Sequence, residues 1–306
     1  MQILAGVFGA GGASVAGYVL GGDTTFGTTG DKFTYATQTN AATTNALGTA
    51  SVAGSGASNS GVAGYIFGNG NKIQKILFLT DATSTISAVL TTTNRQSVGF
   101  ANYAVAAYCA GGFDESTRLN RIDKLTFATE VKSTVTDTLT INRGNQPSGF
   151  ANFGVAGYVG GGRESAGQFS SSVDKLSFPS DTKSALGTGL TVTKISIGNG
   201  FCDKGVAGYI AAGTNSSDLA TSSVDKFAMP SDTKSVATAL LAVRTQINGY
   251  SDSGNAGYWV GGNDDVDWTQ TIYKYVFPGD TISSLGNLLV GKRANTSASF
   301  SDEGVL

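Results

Sequence analysis

The chain has 306 residues, a formal net charge of −2, 14% charged residues, 43 glycines, two cysteines and no histidine. Without histidine, the commonest general base and the commonest metal ligand are both excluded. No basic patch or stripe stands out, so no nucleic-acid partner is expected. Gly, Ser, Thr and Ala dominate the remainder, yet Tyr, Phe, Leu and Val recur at regular positions, which argues against disorder.

The first element, Met1–Gly12, has no basic n-region and makes a poor secretory signal. No stretch has the roughly 18 apolar residues needed to span a bilayer, so membrane insertion is not expected. Gly9–Gly12 (GAGG) lacks the following Lys-Ser/Thr of a phosphate cradle and reads as strand or turn.

Ser14–Gly22 (SVAGYVLGG) then introduces a recurring stretch. Its copies are Gly61–Asn69 (GVAGYIFGN), Ala104–Gly112 (AVAAYCAGG), Gly154–Gly162 (GVAGYVGGG), Gly205–Gly213 (GVAGYIAAG) and Gly254–Gly262 (GNAGYWVGG). The tyrosines Tyr18, Tyr65, Tyr108, Tyr158, Tyr209 and Tyr258 are 47, 43, 50, 51 and 49 residues apart. A period near fifty built on a strand-like unit marks a radial repeat fold. The unit is apolar or very small throughout, which predicts a strand covered on both faces. Its glycines would each cost a helix about 1 kcal/mol against alanine.

Each repeat reads as four strands. The first starts at a basic residue and ends in an aromatic: Arg95 to Phe100, Arg143 to Phe150, Lys194 to Phe201, Arg244 to Tyr250. The GVAGY strand is second. After a variable loop, the third carries a Lys and then an aromatic or Met, as in Lys124–Phe127, Lys175–Phe178 and Lys226–Met229. The segments Pro179–Ser184, Pro230–Ser235 and Pro278–Ser283 predict type I turns, since Pro presets φ and Asp bonds nearby amides. Polar fourth strands, Ser184–Val192 and Ser235–Val243 among them, suit an outer edge. The adjacent pairs Asp123–Lys124, Asp174–Lys175 and Asp225–Lys226 point to opposite faces. Their recurrence assigns them a structural role, linking neighbouring blades.

Arg293–Phe300 repeats the first strand, and Gly304–Leu306 begins a seventh GVAGY. Residues 1–12 fit that pattern poorly: Phe8 lies ten residues before Tyr18, where Phe150 lies eight before Tyr158. An open ring would leave an unpaired edge. The C-terminal strand is therefore expected to close the first blade from inside; the rival is closure by residues 1–12. The expected fold is all-β: one six-bladed β-propeller of four-stranded antiparallel blades over residues 1–306. The repeats run at about 1–46, 47–93, 94–142, 143–193, 194–243 and 244–291, with 292–306 as the closing strand. Cys109 and Cys202 sit at different repeat positions and read as buried free thiols.

The pattern resembles the kelch-type β-propeller repeat over nearly the whole chain. Gly21–Gly22, Gly111–Gly112, Gly161–Gly162 and Gly261–Gly262 carry the likeness best. It departs where kelch repeats have a Trp after the turn: Ala185 and Val236 stand there, and the only tryptophans are Trp259 and Trp268. The Gly- and Thr-rich repeats also look like those in proteins of tailed bacteriophage particles. That likeness implies a virion component; a bacterial surface protein is the alternative.

Binding residues favour loops held on a rigid scaffold. The loops between second and third strands differ most among repeats, and they nominate Asp114, Glu115, Arg118, Arg121, Arg163, Glu164, Asp264, Asp265, Asp267 and Trp268. Their alternating charge suits a protein partner or self-assembly more than a small molecule. The alternative is a carbohydrate-binding or glycan-cleaving propeller reaching a cell-surface glycan, with Trp268 stacking on a sugar. No Ser-x-Asp-x-Gly-x-x-Trp box of the sialidase type occurs, and no nucleophile–base pair is visible. No catalytic residue, metal or cofactor is expected, and the three aspartates near Trp268 lack EF-hand spacing.

Overall fold

The computed structural model describes residues 15–22, 27–51, 53–68, 70–152, 154–195, 197–287 and 298–301. They form six four-stranded antiparallel blades. Blade 4 is typical: Ser148–Asn152 is innermost, then Ala156–Gly160, Val173–Ser177 and outermost Thr182–Ala185. In blade 1 the innermost strand is Ala298–Ser301, which pairs antiparallel with Ala16–Leu20. The ring is thus closed by the C-terminal strand. Residues 1–12 and the GAGG segment lie outside the described residues. Cys109 and Cys202 are free and buried.

The second strands are wholly buried, as their composition requires. The valine before five of them is not. Val155 and Val206 are each 49% exposed, because they belong to the hairpin and not to the strand. The first strands also begin later than their basic residues, at Val98, Ser148, Phe201 and Asn248. The outer strands end early, at Ala185 and Ala237. Beyond them the chain leaves the sheet edge to cross to the next blade. In the proline turns Phe178–Pro179, Met229–Pro230 and Phe277–Pro278 are cis, and the Asp two residues after each proline is left-handed, with φ of 52–56°.

Blades stack through one aromatic and one glycine. A Cβ on Gly157 would strike the Phe100 ring of the preceding blade; Gly208 faces Phe150, Gly257 faces Phe201, Gly17 faces Tyr250 and Gly64 faces Phe300. At the remaining junction both partners change. Ala57 replaces the aromatic and Ala107 the glycine, and both lie in one buried cluster. The Cβ of Ala107 is admitted there because no ring stands opposite it. Gly208→Ala is therefore expected to cost about 1–3 kcal/mol by overpacking. Combining it with Phe150→Ala rebuilds the Ala57–Ala107 arrangement, so chemical denaturation should show the double variant less destabilised than the sum of the two singles. Strict additivity would contradict this packing account.

The Asp-Lys pairs join the blades in two ways. Asp174 accepts bonds from the Thr140 amide and hydroxyl, and Asp225 from those of Thr191, fastening the incoming connector. Arg143 and Lys194 complete these buried clusters at 3.0 and 3.2 Å. The lysines reach forward. Lys124 meets Asp181 of the next turn at 2.6 Å, Lys175 meets Asp232 at 2.6 Å, and Lys226 meets Asp280 at 2.7 Å. The repeat tyrosine donates to the same acid, as Tyr158 does to Asp232 at 2.7 Å. Burial first, and then the acid, pushes its phenol well up.

Candidate binding face

In an antiparallel blade the loops after the second strands share one face of the disc, and the proline turns occupy the other. On the loop face, four of these loops fold back as miniature ladders over the blade ends. Phe113 pairs with both Arg95 and Arg118, and Arg163 with both Gly144 and Phe169. Thr214 pairs with Ala220 and Ile195, and Asn263 with Thr245 and Trp268. The variable loops are therefore ordered by backbone bonds to the connectors beside them.

Their acids hold the loops from within. Asp114 Oδ1 accepts from the amides of Ser116 at 3.0 Å and Thr117 at 2.7 Å. Those backbone bonds lower its pKa to about 2. Asp264 Oδ1 accepts from the amides of Val266 and Asp267, which likewise lower its pKa, and Arg244 lies 3.7 Å from its other oxygen. Asp267 accepts from the Trp268 amide at 2.7 Å. Glu115 and Asp265 stand exposed at loop tips, in left-handed conformations with φ of 79° and 71°. Glu164 replaces the shorter acid in blade 4; its backbone closes the turn with Gly167 and Gln168.

The arginines divide differently. Arg121 is engaged by Thr92 on the outer strand of the preceding blade at 2.7 Å and by Asp123 of its own blade at 3.4 Å. Arg118 and Arg163 have no ion pair within 4 Å among the described residues. Arg118 lies over Gly144. Its Nε is buried without a partner. Its pKa is lowered first by desolvation, then by the charge of Arg163. Two rings complete the strip: Arg95 stands 5.3 Å from the centre of Phe113, and Arg163 stands 6.0 Å from that of Phe169. Arg95, Phe113 and Phe169 are not among the residues the sequence nominates. Arg95 reads there as one more first-strand basic residue, but it is exposed where Arg143 and Lys194 are buried. An aromatic inside each of these two polar loops is the signal that marks them.

The structure thus brings together Arg118 and Arg163, on adjacent blades. It leaves Asp264, Asp265, Asp267 and Trp268 apart, on blade 6. Among the described residues no group of three metal-binding side chains occurs, and no helix is long and apolar enough to cross a membrane.

No protein-family model matches the chain, and no curated protein matches it. Among solved structures, that of YjhT is similar in fold, with a TM-score of 0.69. The likeness covers 90% of this chain and 98% of YjhT at 12% identity. At that identity it speaks for the propeller fold alone.

Proposed function

We propose that the protein is a non-catalytic recognition module that binds an acidic surface of a protein partner through the loop face of blades 3 and 4. The observation that carries this reading is the charge imbalance of the strip. Arg95, Arg118 and Arg163 make no ion pair among the described residues, while Asp114 is already engaged with its own loop. Guanidinium beside aromatic rings is a composition that interfaces favour. A frame of ladder-held loops also loses little conformational freedom on binding. The lack of histidine supports a non-catalytic role. A place on a phage particle or a bacterial surface suits such a module, and particle genes beside its coding region would support the first.

The glycan alternative requires the carboxylates around Trp268 to meet sugar hydroxyls, but Asp264 and Asp267 already accept amides of their own loop. The test uses a fluorescent decaglutamate peptide and the full chain. Binding should weaken with salt, and Arg118→Glu with Arg163→Glu should reduce it by about tenfold or more. Replacing Asn263–Thr271 with a short Asn-Gly turn should leave it unchanged. Loss on the loop replacement, with the arginine variant unaffected, would move the site to blade 6.

A further inference from the structure

Five of the six blade junctions carry the same clasp on the turn face. A tyrosine of the second strand and a lysine of the third converge on one acid from the next blade's turn. The acids are Asp81, Glu130, Asp181, Asp232 and Asp280. The tyrosine hydroxyls reach them at 2.6–3.4 Å, and the lysines at 2.6–3.2 Å. Each lysine also lies 5.3–5.7 Å from the centre of its tyrosine ring. Every acid is left-handed, with φ of 51–56°.

At the junction of blade 6 with blade 1 the two receptor residues remain and the acid is gone. Tyr258 and Lys274 are paired in register across their strands, as Tyr158 and Lys175 are. The turn position holds Gln38, with the same left-handed φ of 52°. Among the described residues, Lys274 has no ion pair and the Tyr258 hydroxyl has no hydrogen-bond partner. Both groups open on a hollow of about 380 Å³, lined also by Tyr35, Asp252, Asn255 and Phe277. The surrounding packing is intact: Tyr35 stacks on Tyr258 at 5.2 Å and donates to the Ser251 carbonyl at 3.2 Å.

We propose that this seam is a carboxylate-binding site, in which an incoming carboxylate takes the place that a turn acid fills at the other five junctions. The ammonium of Lys274 and the hydroxyl of Tyr258 supply charge-assisted hydrogen bonds to it. Asp252 nearby does not forbid this. At the blade 5 junction its counterpart Asp203 sits beside an occupied clasp: desolvation first, and also Asp280, push its carboxyl up while Lys226 pulls it down, and the Lys226–Asp280 pair still forms at 2.7 Å. The seam lies on the face opposite the arginine strip, so it is independent of the function proposed above.

The test follows Lys274 by NMR in the full chain, labelled with carbon-13 lysine and assigned through Lys274→Met. The probes are sodium acetate and the peptide Pro-Ser-Asp-Thr-Lys-Ser, which copies the chain's own turn. Each should shift the Lys274 side-chain signals saturably. Gln38→Asp, or Gln38→Glu on the pattern of Glu130, should abolish that shift and raise the melting temperature. A peptide bound at least about tenfold more tightly than acetate, the worth of roughly one charge-assisted hydrogen bond, identifies an acidic turn of a protein partner. Equal affinities identify a small carboxylate. The proposal is overturned if neither probe shifts Lys274, or if the shift persists in both Gln38 variants. It is also overturned if the unliganded Lys274 signals already match those of Lys124, Lys175 and Lys226, since a carboxylate of the chain then holds it.

Discussion

Phe300→Ala should destabilise the protein by about 3–5 kcal/mol, the range for emptying an aromatic core site. Phe300 is fully buried on the strand that closes the ring. Its ring covers Gly56 and Gly64 of blade 2 and lies 5.9 Å from Tyr18 and 6.0 Å from Phe78. One side chain therefore joins the closing strand to two blades. Deleting residues 292–306 should have a larger effect, because Ala16–Leu20 loses its inner partner and becomes an open apolar edge. Thermal unfolding followed by light scattering would show a lowered transition and association of the truncated chain. A truncated chain that stayed monomeric, with an unchanged transition, would refute closure as a source of stability.

The second large effect is expected at the buried ion pairs. Lys194 and Asp225 are 3.2 Å apart with both side chains 0% exposed. Asp225 also holds the Thr191 amide and hydroxyl. Asp225→Asn leaves the ammonium buried without a counter-charge, which should cost about 3–5 kcal/mol. Desolvation already lowers the pKa of Lys194, and only Asp225 raises it in compensation. Removing that compensation lowers the folded-state pKa further below the unfolded one. Between the two pKa values the unfolded chain binds the extra proton, so the variant regains stability as pH rises from the folded pKa toward the unfolded one. Asp174→Asn supplies the contrast. Its partner Arg143 is equally buried, but a guanidinium does not shed its proton over the accessible range. Urea denaturation of both variants from neutral to alkaline pH should show recovery only for Asp225→Asn. Equal slopes in the two would contradict this assignment.

Local pattern made much of the architecture legible. A Tyr every fifty residues, small residues around it and a terminal half-copy sufficed for six blades and their closure, because most pairing partners lie within one repeat. Strand ends were less legible. Val155 is as apolar as Val159, and only the hairpin geometry places one in water and the other in the core. The loops misled more. Asp114 and Asp264 look like binding carboxylates until their oxygens are seen to accept the amides two and three residues on.

Strand content, the repeat and the ring follow from the linear pattern, because alternation and spacing act over neighbours along the chain. What each repeated charge does depends on the folded ring. In the linear chain Arg95 and Arg143 each read as the basic residue that opens a repeat, yet Arg143 is buried against Asp174 while Arg95 faces outward. The reason is register: Asn94 takes the buried place of Arg143, donating to the Gly111 carbonyl as Arg143 does to that of Gly161, and Arg95 falls one residue later, bridged to Phe113 as Gly144 is to Arg163. Gln38 is likewise an ordinary turn residue in the linear chain. Its meaning comes from Tyr258 and Lys274, more than two hundred residues away, which the ring brings round to meet it.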